Sequence, residues 1–515
     1  MMLLSQAAQA LGARLVGEDA RFFAVSSDSR RMQPGDLFVA LRGERFDGYE
    51  FVAPALQSGA VAALVNEDSY EARPSALSPQ HSILIVKDTR FALGQLAAHW
   101  RRQFDIPLAA ITGSNGKTTV KEMLACILRQ KIKDDLHDGS LSLRERVREQ
   151  DADQYVLATR GNLNNDIGVP LTLLQLNAQH RYAVIEMGMN HPGEIDYLTR
   201  IASPDVALIT NAGGAHLAGL GSVEAVARAK GEIFAGLRLR GAAVINADDE
   251  YAPLWRTLAG SHPLLEFGMD QPADVAGQWQ PQGAGLRLDA HTPSGDFGAD
   301  LQVPGAHNAR NALAASAAAI ALNVPLETIA AGLEGFGGVD GRLQRKAARH
   351  GALVIDDTYN ANPASMRAAI EVLAQSAVEK PAGKRVFVMG DMGELGGNAA
   401  TLHAGIGTAA REAGIDRLLA LGELSVNAVR AFGCGAEHFE RIEDLHKALE
   451  DELDEDVTVL VKGSRFMKME RVVAFCTGEG KDAESDETAE GRREKGGCAL
   501  PGSLPVSPPQ EGEGR

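Results

Sequence analysis

The chain is poor in cysteine and carries no excess of positive charge. Its four cysteines, Cys126, Cys434, Cys476 and Cys498, are far apart along 515 residues and form no Cys-x-x-Cys pair. No disulfide framework is therefore expected, and a reducing compartment fits. The formal net charge of −17 argues against general nucleic-acid binding, because it implies no broad basic surface.

Long apolar segments are also missing. No stretch approaches the ~20 apolar residues that a membrane helix needs. The first residues have no basic segment and too short an apolar run for a signal peptide. We therefore expect a cytoplasmic protein without membrane insertion.

Length and patterning predict three α/β domains. At roughly 150 residues per domain, the chain divides into about three units. Residues 1 to 84 have the pattern of a small α/β unit, while residues 85 to 322 and 323 to 476 alternate apolar strand-like runs with helical ones. That alternation is typical of a mostly parallel sheet covered by helices, in which ligands bind at the carboxyl ends of the strands.

Three polar segments are expected to lie outside the packed cores. Residues 65 to 82, with prolines and serines near their middle, are predicted to form a loop. Residues 131 to 154 carry five Lys or Arg and seven Asp or Glu, which predicts a solvated insertion, part of it helical. Residues 477 to 515 are rich in Gly, Glu, Ser and Pro, and a segment with so little apolar area to bury is predicted to be a disordered tail.

A glycine-rich turn between a strand-like run and a helical pattern is the most informative motif. It has the sequence Gly113-Ser114-Asn115-Gly116-Lys117-Thr118-Thr119. Backbone N–H groups of such a turn bind phosphate, the lysine neutralises the β- and γ-oxygens, and the first threonine hydroxyl can hold Mg²⁺. The spacing Gly-x-x-Gly-Lys-Thr is two residues shorter than the standard phosphate-binding loop, Gly-x-x-x-x-Gly-Lys-Ser/Thr. The shorter spacing limits the number of protein families that fit, while the capacity to bind phosphate is retained. The sequence therefore predicts a nucleoside-triphosphate site.

Polar side chains follow two of the predicted strands, and a lysine lies on a nearby helix. Glu186 ends one strand, where a carboxylate beside a phosphate loop is a natural Mg²⁺ ligand and a helix cap is the alternative. His216 follows a flexible Ala-Gly-Gly segment, and its residue type leaves a site role and a structural role equally open. Lys230, taken by itself, has the pattern of a surface helix lysine.

Four further residues are candidates for nucleotide contacts. Asn308 and Asn311 are three apart at the start of an alanine-rich helix, so they share a face, and helix capping explains only one of them. Their amides could bind an adenine edge or a phosphate. Arg342 and Asp357 belong to the third predicted domain, residues 323 to 476. An arginine suits a γ-phosphoryl group under transfer, and an aspartate suits a ribose hydroxyl.

These motifs closely resemble the Mur ligase family over residues 1 to about 476. The Gly-Ser-Asn-Gly-Lys-Thr-Thr loop and His307-Asn308-x-x-Asn311 are shared by all Mur ligases and by folylpolyglutamate synthases. Residues 161–170, 186–195, 357–363 and 390–396 resemble more specifically the branch that adds a dipeptide; they read GNLNNDIGVP, EMGMNHPGEI, DTYNANP and GDMGELG.

The resemblance implies an ATP-dependent amide ligase with Mg²⁺ as cofactor. Family members transfer the γ-phosphoryl of ATP to the terminal carboxylate of a UDP-sugar peptide, and an amine then attacks the acyl phosphate through a tetrahedral intermediate. For this branch, the resemblance implies that the acceptor is UDP-N-acetylmuramoyl-tripeptide and that the amine belongs to D-alanyl-D-alanine. It also implies a UDP-binding first domain, a central P-loop ATPase domain, a Rossmann-like C-terminal domain and a monomer.

The resemblance also implies residue roles. Catalysis would involve Lys117, Glu186, His216, Lys230 and Arg342. The magnesium ligands would be Thr118, Glu186, His216 and Lys230, the last as a lysine carbamate. Nucleotide would be bound by Gly113, Ser114, Asn115, Gly116, Lys117, Thr118, Thr119, Asn308, Asn311 and Asp357. The UDP-sugar substrate or the dipeptide would be bound by Ser27, Asp28, Ser29, Arg30, Asn162, Asn164, Asn165, Asn360, Asn362 and Asp391; taken alone, residues 27–30 would be read as turns and caps.

Two other functions fit part of these observations. A P-loop protein that uses ATP binding as a switch is disfavoured by the set Glu186, His216 and Lys230 together with a UDP-binding first block. Another amide ligase, either the tripeptide-forming Mur ligase or a folylpolyglutamate synthase, is the closer rival. The Asn-Leu-Asn-Asn run and the Asp391-Met-Gly-Glu-Leu-Gly run favour the dipeptide-adding branch.

Overall fold

The computed structural model describes residues 1–43, 46–73, 81–137, 149–213, 220–379 and 383–479. They form three α/β domains in chain order, as the patterning predicts. Within these ranges, none of the helices has both the length and the apolar character needed to cross a bilayer.

The first domain is a small sheet with helices. Its strands are β1 Met2–Leu3, β2 Arg14–Val16, β3 Arg21–Phe22, β4 Ala24–Ser26, β5 Asp36–Val39, β6 Ala62–Asn66 and β7 Ser82–Val86. Its helices are α1 Leu4–Leu11, α2 Val52–Gln57 and α3 Glu67–Ala72. The main sheet has the order β2-β7-β6-β5-β4, in which only β2 is antiparallel to its neighbour.

The central domain is built on a nine-stranded mixed sheet. Its strands are β8 Leu108–Thr112, β9 Val156–Ala158, β10 Tyr182–Glu186, β11 Val206–Ile209, β12 Ala242–Asn246, β13 Leu264–Gly268, β14 Val275–Gln282, β15 Gly285–Thr292 and β16 Gly295–Leu301. Its helices are α4 Thr89–Arg101, α5 Lys117–His137, α6 Gly168–Leu173, α7 Glu194–Ala202, α8 Val223–Gly231, α9 Ala252–Ala259, α10 Ala306–Ala321 and α11 Leu326–Glu334. The order is β16-β15-β14-β13-β12-β11-β8-β10-β9, parallel from β9 to β14, with β15 and β16 added as an antiparallel ribbon.

Strand β8 explains where the glycine-rich turn lies. All five of its residues are buried, and this continuous apolar character fits a parallel strand covered by helices on both faces. One core joins a face of the central sheet to the first domain, and a second core packs α5, α10 and α11 on the other face. The turn therefore leaves the sheet at its carboxyl edge, directly before α5.

The C-terminal domain is a six-stranded sheet between two layers of helices. Its strands are β17 Gln344–Ala347, β18 Leu353–Asp357, β19 Lys384–Gly390, β20 Arg417–Leu421, β21 Ala436–Phe439 and β22 Val457–Lys462. Its helices are α12 Pro363–Glu379, α13 Ala399–Glu412, α14 Val426–Phe432, α15 Ile442–Glu450 and α16 Glu470–Thr477. The order is β17-β18-β22-β19-β20-β21, and only β17 is antiparallel to its neighbour.

Two predicted boundaries and one predicted loop need correction. The segment 65–82 contains the end of β6, helix α3 and the start of β7, so the loop prediction was wrong for its described part, while 74–80 lie outside the described residues. Strand β7 continues to Val86, two residues past the predicted boundary at 84. Helix α11 contributes Ile329 and Leu333 to the core of the central domain, although the prediction put it in the third block.

The predicted insertion is partly a continuation of α5. Residues 131–137 are helical, Ile132 is buried, and the Asp134 carboxylate accepts a hydrogen bond from the Thr328 hydroxyl at 2.6 Å. These residues therefore pack against the central domain. Residues 138–148 and the tail from 480 to 515 lie outside the described residues.

Candidate active site

A cleft of about 1000 Å³ lies between the central and C-terminal domains. The central domain contributes the glycine-rich turn, the ends of β10, β11 and β12, and the start of α10. The C-terminal domain contributes the loop after β18 and the loops near residues 393 and 465. The cleft therefore lies where parallel strands end, which is the usual ligand position in such sheets.

The glycines of the turn are required by backbone shape. Gly113 has φ of 150° and Gly116 has φ of 80°, and a Cβ on Gly116 would lie 2.4 Å from Asn311 Oδ1. The backbone N–H of Asn115 donates to Asn211 Oδ1 at 2.9 Å. The turn is thus fixed by the end of β11 and by α10 in a shape that presents backbone N–H groups to an anion.

Lys117 lies at the first position of α5. Its Nζ donates to the Gly113 carbonyl at 2.6 Å. Burial lowers the pKa of the ammonium; Glu186 opposes this shift, and Arg342 adds to it. A lysine folded over the turn in this way holds its charge where the phosphates of a nucleotide would lie.

Glu186 is the centre of a buried polar cluster at the end of β10. Its carboxylate accepts a hydrogen bond from the Thr118 hydroxyl at 2.9 Å and from Asn164 Nδ2 at 2.8 Å. Arg342 of the C-terminal domain donates to Thr118 Oγ1 at 3.0 Å, and Glu186 is 2% exposed. A carboxylate and a hydroxyl on neighbouring elements are the hard oxygen donors that suit Mg²⁺.

Lys230 is buried, contrary to the surface position that its local pattern favours. It lies on α8 with 1% exposure. Burial lowers its pKa well below the usual value, and the nearby Lys117 charge lowers it further. Among the described residues, none accepts a hydrogen bond from its ammonium. A neutral lysine amine is the form that reacts as a nucleophile.

His216 lies outside the described residues. Within the part of the chain that the structure describes, no group of three or more His, Cys, Asp or Glu side chains is arranged to hold a metal ion. The metal prediction therefore depends on Thr118 and Glu186, because Lys230 is buried and is not among the residues that line the cleft.

The C-terminal domain reaches the turn directly. Asn362 Nδ2 donates to Asn115 Oδ1 at 2.7 Å. The Arg342 guanidinium lies over the Tyr359 ring, 4.3 Å from its centroid. Since Arg342 also donates to Thr118, two separate side chains of this domain contact the glycine-rich turn, residues 113–119, which is the predicted phosphate-binding turn.

A buried ion pair lies at the base of the same loop. Lys462 Nζ is 2.6 Å from Asp357 Oδ2, and it also donates to the Asn360 carbonyl at 2.9 Å. Burial raises the pKa of Asp357; Lys462, Arg342 and a hydrogen bond from the Leu343 N–H oppose the shift. The pair fixes the loop that carries Tyr359 to Asn362.

Three family models match successive parts of the chain. The Mur ligase family catalytic domain matches residues 21–101, the Mur ligase middle domain residues 111–319, and the Mur ligase glutamate ligase domain residues 341–465. The Escherichia coli (strain K12) protein named UDP-N-acetylmuramoyl-tripeptide--D-alanyl-D-alanine ligase is 43% identical, over 91% of this chain and 97% of its own. The chain belongs to the Mur ligase family.

Solved Mur ligase structures have the same fold. MurF from Acinetobacter baumannii superposes with a TM-score of 0.79 at 38% identity, covering 91% of this chain and 97% of its own. MurF from Thermotoga maritima, solved in complex with ADP, gives 0.73 at 27% identity, with 88% and 96% covered. The three-domain expectation is thereby confirmed.

The structure brings most predicted Mur ligase site residues into one cleft. The predicted residues that line it are Ser114, Asn115, Gly116, Lys117, Thr118, Thr119, Asn164, Asn165, Glu186, Asn308, Asn311, Arg342, Asp357, Asn360 and Asn362. Asn308 and Asn311 are buried, and Asn311 Nδ2 donates a hydrogen bond to Asn308 Oδ1 at 3.3 Å. Asn165 Oδ1 also accepts the Gly168 N–H at 2.8 Å, so it caps α6.

Several predicted substrate contacts lie elsewhere. The Asp391 carboxylate accepts the backbone N–H groups of Leu424 and Ser425 at 3.1 and 2.7 Å, so the structure gives it a capping role at α14 and not a place in the cleft. Asp28 binds Arg30 through two hydrogen bonds, at 2.9 and 3.0 Å. The predicted substrate residues that do not line the cleft are Ser27, Asp28, Ser29, Arg30, Asn162 and Asp391.

Four of the cleft residues had no role in the sequence prediction. Arg90 of α4 pairs with Asp166, and both line the cleft. Lys462 ends β22 and also lines the cleft. His307, inside a quoted motif, also lines the cleft; burial, assisted by Lys462 and Arg310, lowers its pKa to about 4, so the ring is neutral near pH 7. The Arg90–Asp166 pair joins residues 76 apart, and no local pattern signals it.

Proposed function

We propose that this chain is the ATP-dependent ligase that joins D-alanyl-D-alanine to UDP-N-acetylmuramoyl-tripeptide. The observation that carries the proposal is the cleft in which the phosphate-binding turn, the Glu186 cluster and two side chains of the C-terminal domain converge. Its curated relatives of 34–43% identity that cover about nine-tenths of the chain carry this activity in their names. The product would be a UDP-N-acetylmuramoyl-pentapeptide, a peptidoglycan precursor.

The proposed reaction has two steps. A carboxylate oxygen of the tripeptide attacks the γ-phosphorus of ATP, which breaks the bond to the β,γ-bridging oxygen, releases ADP and forms an acyl phosphate. The dipeptide amine then attacks the acyl carbon. Collapse of the tetrahedral intermediate breaks the acyl C–O bond, releases phosphate and a proton and leaves an amide.

Cations serve this reaction better than acid–base groups, because negative charge gathers where two anions meet. Lys117 lies over the phosphate-binding turn, and we assign it the β- and γ-phosphates. Arg342 donates to the Thr118 hydroxyl beside the turn, and we assign it the transferring phosphoryl group. We assign nucleotide contacts to Asn308, Asn311 and Asp357.

The donor set around Glu186 fits a magnesium ion. Thr118 and Glu186 would hold it, His216 would bind a second magnesium ion near the acyl phosphate, and a carbamate of Lys230 would be a further magnesium ligand. Mg²⁺ neutralises phosphate charge during phosphoryl transfer. The lowered pKa of Lys230 favours a neutral amine, which can add to carbon dioxide to give a carbamate and a proton.

The first domain and Asn162, Asn164 and Asn165 are proposed to bind the UDP-sugar end of the acceptor. Asn164 lies against Glu186, which supports a position next to the phosphates. Residues 27–30 do not line the cleft, so their assignment depends on the long nucleotide-sugar reaching beyond it. We also propose that the protein acts as a monomer in the cytoplasm, because its co-substrate ATP is found there.

Phosphate release tests the function directly. The enzyme is mixed with ATP, MgCl₂ and UDP-N-acetylmuramoyl-tripeptide, and D-alanyl-D-alanine is compared with single amino acids and with L-alanyl-L-alanine. Release that depends on the D,D-dipeptide is expected. Release that depends on a single amino acid would contradict the proposal and favour the tripeptide-forming ligase or a folylpolyglutamate synthase.

A further inference from the structure

Two exposed side chains in the cleft have no role in the proposed phosphoryl transfer. Arg465 and Phe466 follow β22 on a short turn and line the C-terminal side of the cleft. The Arg465 side chain is 65% exposed and Phe466 is 63% exposed. A cation beside an exposed aromatic ring suits a small ligand that has both a carboxylate and an alkyl group.

Most other cations of the described cleft lining are engaged. Lys462 is held by Asp357, and Arg90 is held by Asp166. Arg310 contacts Asp248 at 3.3 Å and Asp270 at 2.5 Å. Lys117 and Arg342 are at the phosphate-binding turn. Arg465 is therefore the candidate for binding an anion on the C-terminal side.

Arg465 keeps most of its hydrogen-bonding capacity. Its Nη1 lies 3.4 Å from Glu470 Oε1, and no other ion pair or hydrogen bond joins its guanidinium to a described residue. A guanidinium has five N–H donors in a planar fork, so a second carboxylate can bind to the remaining edge with two hydrogen bonds.

Arg465 is linked to the glycine-rich turn through the loop that follows β18. The Arg465 backbone N–H donates to Asn360 Oδ1 at 3.3 Å, and Asn362 of the same loop donates to Asn115 of the phosphate-binding turn. Residues 360 and 362 are two apart, and two residues span at most about 7 Å. Arg465 and the glycine-rich turn therefore contact neighbouring residues of one short loop.

Phe466 forms an apolar wall beside this cation. A Cβ on Gly393 would lie 3.0 Å from the Phe466 ring, so the backbone of Gly393 approaches the ring closely. The Gly393 N–H donates to Ser464 Oγ at 2.9 Å, which joins the two loops. The wall is therefore held in place next to Arg465 and offers contact to a methyl group.

We propose that Arg465 binds the carboxylate of the incoming dipeptide and that Phe466 packs against its C-terminal methyl group. The inference rests on the proposed function and names the residues that would select a dipeptide over a single amino acid. A single amino acid carries its carboxylate one residue closer to its amine, so it would not present that group in the way that the dipeptide does.

The test compares two acceptors in four enzymes. D-alanyl-D-alanine and its C-terminal amide are given to wild type, Arg465→Gln, Arg465→Lys and Arg441→Gln, with phosphate release as the readout. Arg441 is the matched control, because its side chain is 71% exposed, pairs with Glu443 at 3.2 Å and lies outside the cleft lining. Thermal melting checks that each variant folds.

Arg465→Gln should raise the KM for D-alanyl-D-alanine by about 10- to 100-fold, the usual size for a lost charge-assisted contact. Its kcat and its KM for ATP should change little, and its preference for the dipeptide over the amide should nearly vanish. Arg465→Lys should be intermediate because it keeps the charge without the fork. Arg441→Gln should match wild type.

The outcomes separate the two proposals. If wild type selects the dipeptide over its amide and Arg465→Gln selects it equally well, the carboxylate assignment is wrong and the proposed function stands. If wild type uses the dipeptide in preference to single amino acids but uses the dipeptide and its C-terminal amide equally well, the carboxylate assignment is also wrong. If wild-type phosphate release does not depend on the dipeptide, both proposals are wrong.

Discussion

Replacing Lys462 by methionine should destabilise the C-terminal domain by about 3–5 kcal/mol at pH 8, because it leaves the buried Asp357 carboxylate without its partner. The ammonium lies 2.6 Å from Asp357 Oδ2, and the two residues are 3% and 8% exposed. Methionine has a similar length and flexibility, so loss of packing contributes little. At roughly 2–4 °C per kcal/mol for a domain of this size, Tm should fall by about 6–20 °C.

The loss should depend on pH in a defined direction. Burial already raises the folded-state pKa of Asp357 above its usual value of 3.8 despite Lys462, and the variant should raise it further. The folded variant then binds a proton that the unfolded chain does not, so its stability falls as pH rises through this window, by up to about 1.4 kcal/mol per pH unit. The gap between wild type and variant should therefore be smaller at pH 5 than at pH 8.

Thermal and urea melts at pH 5 and pH 8 measure this effect. Adding Asp357→Asn to Lys462→Met should recover most of the loss at pH 8, since the buried charge is then gone. Lys384→Met is the control, because Lys384 pairs with Glu452 at a site 43% exposed on the lysine side, where such a pair contributes about 1 kcal/mol or less. A loss for Lys462→Met that is equal at both pH values and unaffected by Asp357→Asn would refute the reasoning.

The remaining predictions concern the phosphate-binding turn and Lys230. Lys117→Ala should keep its Tm but less than about a tenth of the wild-type rate of phosphate release, since its ammonium stabilises the transferring group; a higher rate would contradict its role. Gly116→Ala should raise the KM for ATP because its Cβ meets Asn311, whereas Gly12→Ala, with φ of 61° and open space around it, should alter stability alone. Lys230→Ala should be nearly inactive and partly rescued by formate or acetate, and Lys230→Arg should not be; full activity of either variant would rule out a carbamate.

The part of the site that could be predicted from the sequence consists of motifs whose residues are neighbours along the chain. The turn from Gly113 to Thr119 needs a strand before it and a helix after it, and both are visible as local apolar patterns. The position of Glu186 at a strand end could be predicted for the same reason, since it ends an apolar run in a parallel sheet. Parallel strand ends meet at one edge, so motifs at successive strand ends are brought together by the fold itself.

Burial and side-chain direction could not be predicted in the same way. Lys230 has an ordinary helical neighbourhood, and only the packing of α8 shows that its amine is enclosed. Asp391 lies in a family motif, yet its carboxylate turns to the N–H groups of Leu424 and Ser425, 33 and 34 residues away. The short helix α3 was missed because it has only six residues. The prolines and serines that follow it favour turns, so the whole segment was predicted to be a loop.

The glycine-rich turn is contacted by the C-terminal domain, and one residue with a strained backbone lies at that junction. Leu343 has φ of 52°, which costs a non-glycine residue about 1–2 kcal/mol. Its N–H donates to the Asp357 carboxylate, and the preceding residue, Arg342, reaches Thr118. The Lys462–Asp357 pair thus stabilises the backbone turn that directs Arg342 at the phosphate-binding turn. Weakening this pair should therefore lower catalysis through Arg342 as well as stability, although neither member of the pair contacts the turn.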